Sequence, residues 1–236
     1  MKKLAVITGG SQGIGKAIIQ KLAEEGFSIA TCARHQAPLE KLSREIKDLH
    51  PQITFMYQAV DLSHTEEVVS FAQAVREMAL PVAILVNNAG LFIPGQIQTE
   101  EEGVFEKTLN TNVASAYHLT RALVGDMIAR QEGHIFNICS TASITAYTNG
   151  GSYCISKFAL LGMSKVLREE LKPHRVRVTS ILPGATLTQS WMGTELPEER
   201  FMPAEDVAAA VVGAYHLSAR SVVEEILLRP QLGDII

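Results

Sequence analysis

The amino-acid sequence predicts an α/β fold in which a doubly wound, seven-stranded parallel sheet is flanked by helices, giving three layers. Short, almost wholly apolar runs alternate along the chain with longer stretches whose apolar residues recur at helical spacing. Continuous apolar runs of this kind are typical of strands buried on both faces of a parallel sheet. Helices of about 10–20 residues between such strands favour right-handed βαβ crossovers, which build a doubly wound sheet.

The amino-terminal half contains four of the predicted strands. Residues 4–8 form an apolar run ended by glycines. The helix predicted over 13–25 has one apolar face and stops at Gly26, a residue suited to a helix C-cap. The further elements predicted in this half are a strand at 27–33, a helix at 38–49, a strand at 53–60, a helix at 65–78 and a strand at 82–86.

The carboxy-terminal half supplies the other three strands and the longest helix. Pro203 marks the start of the last helix, because proline is favoured in a first helical turn. The elements predicted in this half are helices at 99–109 and 113–131, a strand at 134–139, a helix at 151–171, a strand at 175–181, a helix at 203–217 and a strand at 222–228.

Length and composition limit the classes of protein that fit. The chain has 236 residues, 47% of them hydrophobic, and a net charge of −4 from 21 Lys and Arg against 25 Asp and Glu. This size and hydrophobic content predict one domain over residues 1–236, with a sizeable core. Its apolar runs are far shorter than the about 20 residues of a membrane span. The absence of a basic cluster argues against nucleic acid or an anionic membrane as the main partner.

The cysteines point to a reducing compartment. Cys32, Cys139 and Cys154 are odd in number and far apart, and neither they nor the seven scattered histidines show a metal-ligand spacing. Free core thiols are the ordinary state of such cysteines inside cells. We therefore expect a cytoplasmic protein without a disulfide framework and without a metal site.

A glycine-rich turn follows the first predicted strand. Gly9, Gly13 and Gly15 lie within Thr-Gly-Gly-Ser-Gln-Gly-Ile-Gly, directly before the first helix. Glycines there allow a tight turn and a close backbone approach, and the helix amino terminus directs N–H groups at a pyrophosphate. The Gly-x3-Gly-x-Gly spacing differs from the GxGxxG dinucleotide fingerprint, so a turn without a ligand remains the alternative.

Polar or turn-forming residues follow nearly every predicted strand. Because the carboxyl ends of parallel strands meet at one edge of the sheet, these residues are expected to come together there. Their recurrence favours a cofactor cleft over turn chemistry alone. They are Arg34 after the second strand, Asp61 and Leu62 after the third, residues 87–90 after the fourth, Ser140 after the fifth, and Pro183 and Gly184 after the sixth.

Tyr153 and Lys157 lie four residues apart inside the long helix, so the phenol and the ammonium group share one helical face. The pair alone is weak, since a lysine stem lying along a core tyrosine gives the same spacing. In combination with the other motifs it is specific: from residue 4 to at least 188, the chain resembles the short-chain dehydrogenase/reductase family. The motifs that carry the resemblance, in family order, are Thr8-Gly9-x3-Gly13-Ile14-Gly15, Asn87-Asn88-Ala89-Gly90, Asn112, Ser140, Tyr153-x3-Lys157 and Pro183-Gly184-x3-Thr188.

The resemblance implies a Rossmann-type fold and hydride transfer between a nicotinamide and a carbonyl or secondary alcohol. By this resemblance Tyr153 is the general acid and base. Lys157 favours its phenolate and holds the nicotinamide ribose hydroxyls. Ser140 hydrogen-bonds the substrate oxygen. Asn112 resembles the family asparagine whose backbone kink holds a water in the proton relay. A polar residue at a helix start is the alternative for Asn112, because Asn110 lies nearby.

The resemblance also assigns a cofactor site, with NADP(H) favoured over NAD(H). The second strand ends at Ala33, which offers no carboxylate for a ribose 2′-hydroxyl, and the guanidinium of Arg34 suits a 2′-phosphate. Two positions depart from the family pattern: Gln12 stands where many NADP-binding members have a basic residue, and Thr186 where valine or isoleucine is usual. The implied cofactor-binding residues are Gly9, Ser11, Gln12, Gly13, Ile14, Arg34, Asp61, Leu62, Asn88, Ala89, Gly90, Tyr153, Lys157, Pro183, Gly184, Thr186 and Thr188.

Substrate recognition is expected in the loop at about 187–204 and in a mostly apolar pocket. Trp191 either binds substrate or covers the core. The residues that the resemblance places at the pocket are Phe92, Thr141, Tyr147, Leu187, Trp191 and Met192. These observations predict an NADPH-dependent carbonyl reductase acting on a small or medium, mostly apolar substrate.

Two other functions remain open at this point. The first is a 3-oxoacyl-acyl-carrier-protein reductase, although the segment 223–230 looks more like the sepiapterin-reductase and hydroxy-acid-dehydrogenase side of the family. The second is a non-catalytic NADPH-binding regulator, since a fold does not determine a function. The resemblance to the family further implies a homodimer or homotetramer whose subunits pack through the helices predicted at 113–131 and 151–171.

Overall fold

Seven parallel strands form one sheet in the computed structural model, which describes residues 2–191 and 193–235. The strands, numbered in chain order, are β1 (Leu4–Thr8), β2 (Ser28–Ala33), β3 (Phe55–Ala59), β4 (Val82–Asn87), β5 (Gly133–Ile138), β6 (Val176–Pro183) and β7 (Glu225–Leu228). Their order across the sheet is β3-β2-β1-β4-β5-β6-β7, and every neighbouring pair is parallel. The predicted fold class, a doubly wound seven-stranded parallel sheet, is confirmed.

Helices cover both faces of the sheet. They are α1 (Gly13–Glu24), α2 (Gln36–Leu49), α3 (Thr65–Glu77), α4 (Val104–Leu109), α5 (Ser115–Arg130), α6 (Gly151–Leu171) and α7 (Ala204–Tyr215). Alternate residues of a strand point to opposite faces, and this alternation separates two cores. Ala5 and Ile7 of β1 belong to a core with α1, α2 and α7, whereas Leu4 and Val6 belong to a core with α3 and α5. This arrangement gives the three predicted layers.

The structure departs from the predicted elements around α4. The helix predicted at 99–109 begins only at Val104, because Gly103 has a left-handed conformation (φ 84°) that ends the preceding turn. The predicted break between 109 and 113 is absent, since a π-helical turn, Asn110–Ala114, joins α4 directly to α5. At the other end of the chain, β7 begins at Glu225 rather than at 222.

Two properties concern the described residues as a whole. No helix among them combines the length and the apolar character needed to cross a membrane. Nor do three or more His, Cys, Asp or Glu side chains come together in this part of the chain in a way that could hold a metal ion.

Candidate active site

A cavity of about 810 Å³ opens at the carboxyl ends of the strands. It lies where the strand order reverses between β1 and β4, the place at which doubly wound sheets bind ligands. All the predicted cofactor-binding residues line it, together with Ser140 and four of the predicted substrate residues. Its volume is in the range of sites that hold cofactors and small molecules, about 300–1,000 Å³.

The glycine-rich turn forms one wall of the cavity and depends on missing side chains. A Cβ at Gly15 would lie 2.4 Å from the Gly9 carbonyl oxygen, and a Cβ at Gly10 would lie 2.1 Å from Thr31 Oγ1. Gly13 has a φ of 53°, which few other residues tolerate. Gln12, the N-cap of α1, makes no side-chain hydrogen bond to the first turn. The first N–H groups of α1 are therefore available to a phosphate group. We call Gly9, Gly13 and Gly15, together with these N–H groups, the cradle; it fits the pyrophosphate of a dinucleotide.

Asn88 braces this turn from the neighbouring strand end. Its Nδ2 donates to the carbonyl oxygens of Thr8 (2.8 Å) and Gly9 (3.2 Å). In return the Thr8 hydroxyl accepts from the N–H groups of Asn88 and Ala89, both at 3.0 Å. Asn88 lines the cavity, but its side-chain amide is already hydrogen-bonded to the glycine-rich turn. It therefore stabilises the conformation of that turn.

Two charged residues, Arg34 and Asp61, line the cavity beyond β2 and β3. Arg34 follows β2, is exposed, and takes part in none of the ion pairs formed by the described residues. Asp61 Oδ1 accepts from the Ser63 N–H (2.9 Å) and hydroxyl (2.7 Å). These two hydrogen bonds hold the pKa of Asp61 below its usual value. Asp61 is therefore ionised and bonded locally, whereas Arg34 is open to an anion.

Helix α6 places Tyr153 and Lys157 on the same wall. Lys157 is buried, its Nζ donates to the Ile138 carbonyl oxygen (2.8 Å), and it lies 5.7 Å from the centre of the Tyr153 ring. The ring of Phe92 packs edge-on against Tyr153, with 4.9 Å between the centroids and 71° between the planes. The ammonium group and the phenol are thus held next to each other at the cavity.

Ser140 follows β5 and lies on the adjacent wall. Its Oγ accepts from the Ala142 N–H (3.1 Å), while its own N–H donates to Ser143 Oγ (3.2 Å). These bonds form a capping box over a short turn at Thr141–Ser143. Because Oγ serves there as an acceptor, the hydroxyl proton of Ser140 remains free to point at a ligand.

Asn112 does not line the cavity but lies beneath it in the π-helical turn. Its buried side chain accepts from the Leu91 N–H (2.7 Å) and donates to the Leu91 carbonyl oxygen (3.0 Å) and to Ser156 Oγ (2.9 Å). The Ser156 hydroxyl donates to the Tyr153 carbonyl oxygen (2.7 Å). The side chain therefore ties the segment after β4 to the helix that bears Tyr153. The proton-relay role of the Asn112 main chain stays a prediction.

The predicted substrate residues that reach the cavity are mostly aromatic. Phe92, Thr141, Tyr147 and Trp191 line it. Partial burial, with a further contribution from the nearby Tyr153, raises the pKa of Tyr147 above its usual value, so this phenol is neutral near pH 7. Met192, the remaining predicted contact in this stretch, lies outside the described residues.

Leu187 differs from its predicted place at the substrate pocket. Its side chain is 40% exposed and is not part of the cavity lining. The reason is a short extended pairing, in which Thr186 bridges to Met202 and the Leu187 N–H donates to the Met202 carbonyl oxygen (2.8 Å). Successive residues of an extended segment point in opposite directions, so Thr186 faces the cavity and Leu187 faces away.

Six charged or polar residues at the cavity were missed by sequence reasoning: His35, Lys107, Thr111, Thr145, Gln189 and Asp234. Lys107 and Thr111 lie one helical turn apart on α4 and the π-helical turn, and their spacing of four was the signal that could have indicated a shared face. His35 directly follows Arg34 and also lines the cavity. Asp234 reaches it from beyond β7, where it pairs with Arg229, and no motif in the sequence marks that segment.

Comparisons with known proteins agree with this geometry. A family model described as short chain dehydrogenase matches residues 3–199. Sepiapterin reductase of Chlorobaculum tepidum is 36% identical over 244 residues, covering 100% of this chain and 99% of that protein. An alcohol dehydrogenase from Thermococcus sibiricus, solved with 5-hydroxy-NADP, has a TM-score of 0.90 and 28% identity, with both chains covered fully. L-sorbose reductase from Gluconobacter frateurii, solved with NADPH and L-sorbose, has a TM-score of 0.89 and 29% identity over 97% of this chain and 95% of that one.

The sheet topology and the cavity at its switch point define a Rossmann-type fold with a ligand-binding cleft. Together with the family match and the relatives above, they place the chain: it belongs to the short-chain dehydrogenase/reductase family. The resemblance predicted from the motifs is confirmed.

Proposed function

We propose that the protein is an NADPH-dependent carbonyl reductase in which Tyr153 exchanges the proton with the substrate oxygen. The observation that carries this proposal is the convergence of Ser140, Tyr153 and Lys157 on one cavity with the glycine-rich cradle. Two of these groups come from α6 and the third from the end of β5, so the fold itself brings them together.

The residues of the cavity fit a nicotinamide dinucleotide. The cradle of Gly9, Gly13 and Gly15, with the free amides of α1, would hold the pyrophosphate, and Lys157 would hold the nicotinamide ribose. When bound, the nicotinamide supplies or accepts the hydride.

The proton is handled by the chain's own side chains. In reduction the Tyr153 hydroxyl gives its proton to the substrate oxygen, and in oxidation the phenolate takes it back. The buried ammonium group of Lys157, 5.7 Å from the Tyr153 ring centre, stabilises the negative charge left on the Tyr153 oxygen when the proton has moved to the substrate. The Ser140 hydroxyl donates a hydrogen bond to the substrate oxygen. This bond polarises the carbonyl group and fixes its orientation.

NADPH is the proposed cofactor, in preference to NADH. Arg34 stands at the end of β2 and forms no ion pair with a carboxylate of the described residues, and the side chain of the preceding Ala33 cannot accept a hydrogen bond from a ribose 2′-hydroxyl. A guanidinium group suits a 2′-phosphate because it donates several hydrogen bonds and keeps its charge. The two structural relatives described above were solved with 5-hydroxy-NADP and with NADPH, which supports the same choice.

The proposed substrate is a small or medium carbonyl compound with an apolar body. Phe92, Tyr147 and Trp191 line the cavity with large apolar surfaces, which suit such a substrate. Sepiapterin reductase and L-sorbose reductase are both named as reductases, which favours reduction as the direction.

We also propose that the protein works as a homodimer or homotetramer in the cytoplasm. The outer surfaces of α5 and α6 expose Tyr117, Ile155, Phe158 and Val166, each at least 40% accessible. Ile155, Phe158 and Val166 recur at the spacing of one face of α6, and an exposed apolar helix face is typical of an interface rather than of a solvated surface. The three buried, unpaired cysteines, Cys32, Cys139 and Cys154, suit a reducing compartment.

A turnover assay tests the proposed function. Purified protein is mixed with NADPH or NADH and a panel of diketones, quinones, pterins, sugars and a 3-oxoacyl thioester, and cofactor absorbance is followed. We expect NADPH consumption with at least one apolar carbonyl compound, and faster consumption of NADPH than of NADH. Tight NADPH binding without turnover of any panel member would contradict the proposal and favour a regulatory protein. Turnover of the thioester alone would favour the 3-oxoacyl reductase instead.

A further inference from the structure

The helix that carries Tyr153 lacks a cap of its own. Helix α6 starts at Gly151, and its N-cap residue, Gly150, has no side chain with which to bond the first turn. The first N–H groups of any helix have no partner within the helix and need an acceptor from elsewhere. An uncapped first turn would be free to fray, and Tyr153 is the third residue of that turn.

Glu100 supplies the missing acceptor from the segment after β4. Its Oε1 accepts from the Ser152 N–H at 2.8 Å, and its Oε2 accepts from the Ser152 hydroxyl. Glu100 lies 52 residues before Ser152 in the chain, and Ser152 directly precedes Tyr153. A carboxylate at a helix amino terminus is also favoured by the helix dipole.

The glycines around this contact are required by it. A Cβ at Gly151 would lie 1.9 Å from Glu100 Oε1, and a Cβ at Gly95 would lie 2.8 Å from Glu100 Cγ. Gly95 also donates its N–H to the Asn149 carbonyl oxygen (3.1 Å) and forms an isolated β-bridge with Gly150. The main chains at Gly95 and Gly150 thus lie close together, and the carboxylate of Glu100 can reach the first turn of α6.

The same segment reaches Tyr153 at its other end. Phe92 packs edge-on against the Tyr153 ring, and Glu100 holds the turn in which Tyr153 sits. We call residues 91–100 the β4 loop. It supports the tyrosine side chain directly and the tyrosine backbone through Ser152.

We propose that Glu100 is a positioning residue, whose carboxylate clamps the first turn of α6 and thereby fixes the Tyr153 hydroxyl relative to Ser140. The proposal rests on the proposed function, because it assigns Tyr153 a position that matters for proton transfer. Loss of the clamp moves the tyrosine rather than the cofactor cradle, which is built from α1, β1 and the end of β4.

Three variants separate the clamp from a general effect on folding. Glu100→Ala removes both acceptors. Glu100→Gln keeps an oxygen for the Ser152 N–H and offers an amide to the hydroxyl. Glu102→Ala removes a nearby exposed carboxylate. We expect Glu100→Ala to lower kcat by about 10- to 100-fold, since small misplacements of a reacting group have effects of that size. NADPH affinity, measured by fluorescence titration, is expected to stay unchanged, and Glu100→Gln to restore most of kcat.

Hydrogen exchange measured by mass spectrometry provides a readout that does not depend on turnover. Glu100→Ala is expected to speed exchange in peptides that cover 150–156 and to leave β1 and α1 unchanged, while Glu100→Gln and Glu102→Ala behave like the wild type. Unchanged exchange at 150–156 in Glu100→Ala overturns the proposal, as does an unchanged kcat in an active enzyme. If the wild type shows no turnover, the proposed function fails on its own, and the exchange data alone decide whether Glu100 clamps α6.

Discussion

Two single residues allow sharp tests, and the first is Arg34. Arg34→Asp replaces the cation at the end of β2 by a carboxylate, which repels a 2′-phosphate and can accept a bond from a 2′-hydroxyl. A hydrogen bond to a charged group contributes about 1.5–3 kcal/mol, so NADPH binding is expected to weaken by about 10- to 100-fold. NADH binding should change little. Titration of both cofactors checks this, with Arg44→Asp on α2 as the control; an equal loss for NADPH and NADH would contradict the NADP preference.

The second residue is His134, a buried histidine at the start of β5 that plays no part in the proposed mechanism. The Thr179 hydroxyl donates to the Val223 carbonyl oxygen (2.6 Å), so it accepts from His134 Nε2 (2.7 Å), which must carry the proton. Nδ1 has no hydrogen-bond partner among the described residues, and the ring stacks on Phe136. Burial, with a smaller effect of Arg177, lowers the pKa of His134 from 6.5 to about 2.

This lowered pKa predicts a loss of stability in mild acid. Below pH 6.5 the unfolded chain takes up a proton at His134 that the folded protein does not, so this stability is present above pH 6.5 and is lost as the pH falls towards 2. Between pH 7 and pH 5 the expected loss in the free energy of unfolding is about 2 kcal/mol. Urea unfolding at both pH values measures it, with His134→Phe as the comparison. Identical pH dependence in the two proteins would show that His134 is not the cause.

At the scale of single elements, the turn before α1 depends on missing Cβ atoms. A methyl group at Gly15 meets the Gly9 carbonyl oxygen and Asn88 Nδ2 (2.5 Å), neither of which can move without opening the turn. We expect Gly15→Ala to destabilise the protein by about 1–3 kcal/mol, as overpacking does, and to weaken NADPH binding at the same time.

Gly213 in α7 provides the matched control. A Cβ there meets no atom of the described residues within 4 Å, so Gly213→Ala is expected to stabilise the protein by about 0.5–1 kcal/mol and to leave NADPH binding unchanged. Denaturant unfolding and cofactor titration of both variants compare the two positions. Gly15→Ala with wild-type stability and affinity would show that the cradle does not need its glycines.

At the scale of the whole molecule, the proposed assembly can be tested on the exposed apolar face of α6, which is formed by Ile155, Phe158 and Val166. Phe158→Glu places a charge in the middle of that face, and Val69→Glu places the same charge on an exposed site of α3. Light scattering coupled to size exclusion is expected to show an oligomer for the wild type and for Val69→Glu, and a smaller species for Phe158→Glu. A wild type that is monomeric, or a Phe158→Glu variant of unchanged mass, would contradict the interface.

Much of the molecule could be predicted because its signals are local. The run at 4–8 is apolar throughout and bounded by glycines, and β1 has those same bounds. The polar residues after the strands could be placed together because the carboxyl ends of parallel strands meet at one edge, and the family resemblance supplied their cofactor roles. The contact of Glu100 with Ser152 could not, since it joins residues 52 apart whose types are common in any loop. The π-helical turn and the outward orientation of Leu187 likewise depend on tertiary contacts, with Leu91, Ser156 and Met202.

Proton transfer by Tyr153 during NADPH-dependent carbonyl reduction is the step on which the proposed function depends. The most direct measurement is the single-turnover rate of NADPH oxidation by wild type and by Tyr153→Phe, each saturated with cofactor and substrate. General acid–base catalysis contributes about 10²–10⁴-fold, so Tyr153→Phe is expected to lose at least about 100-fold in rate while it still binds NADPH. An undiminished rate in Tyr153→Phe would show that Tyr153 does not transfer the proton.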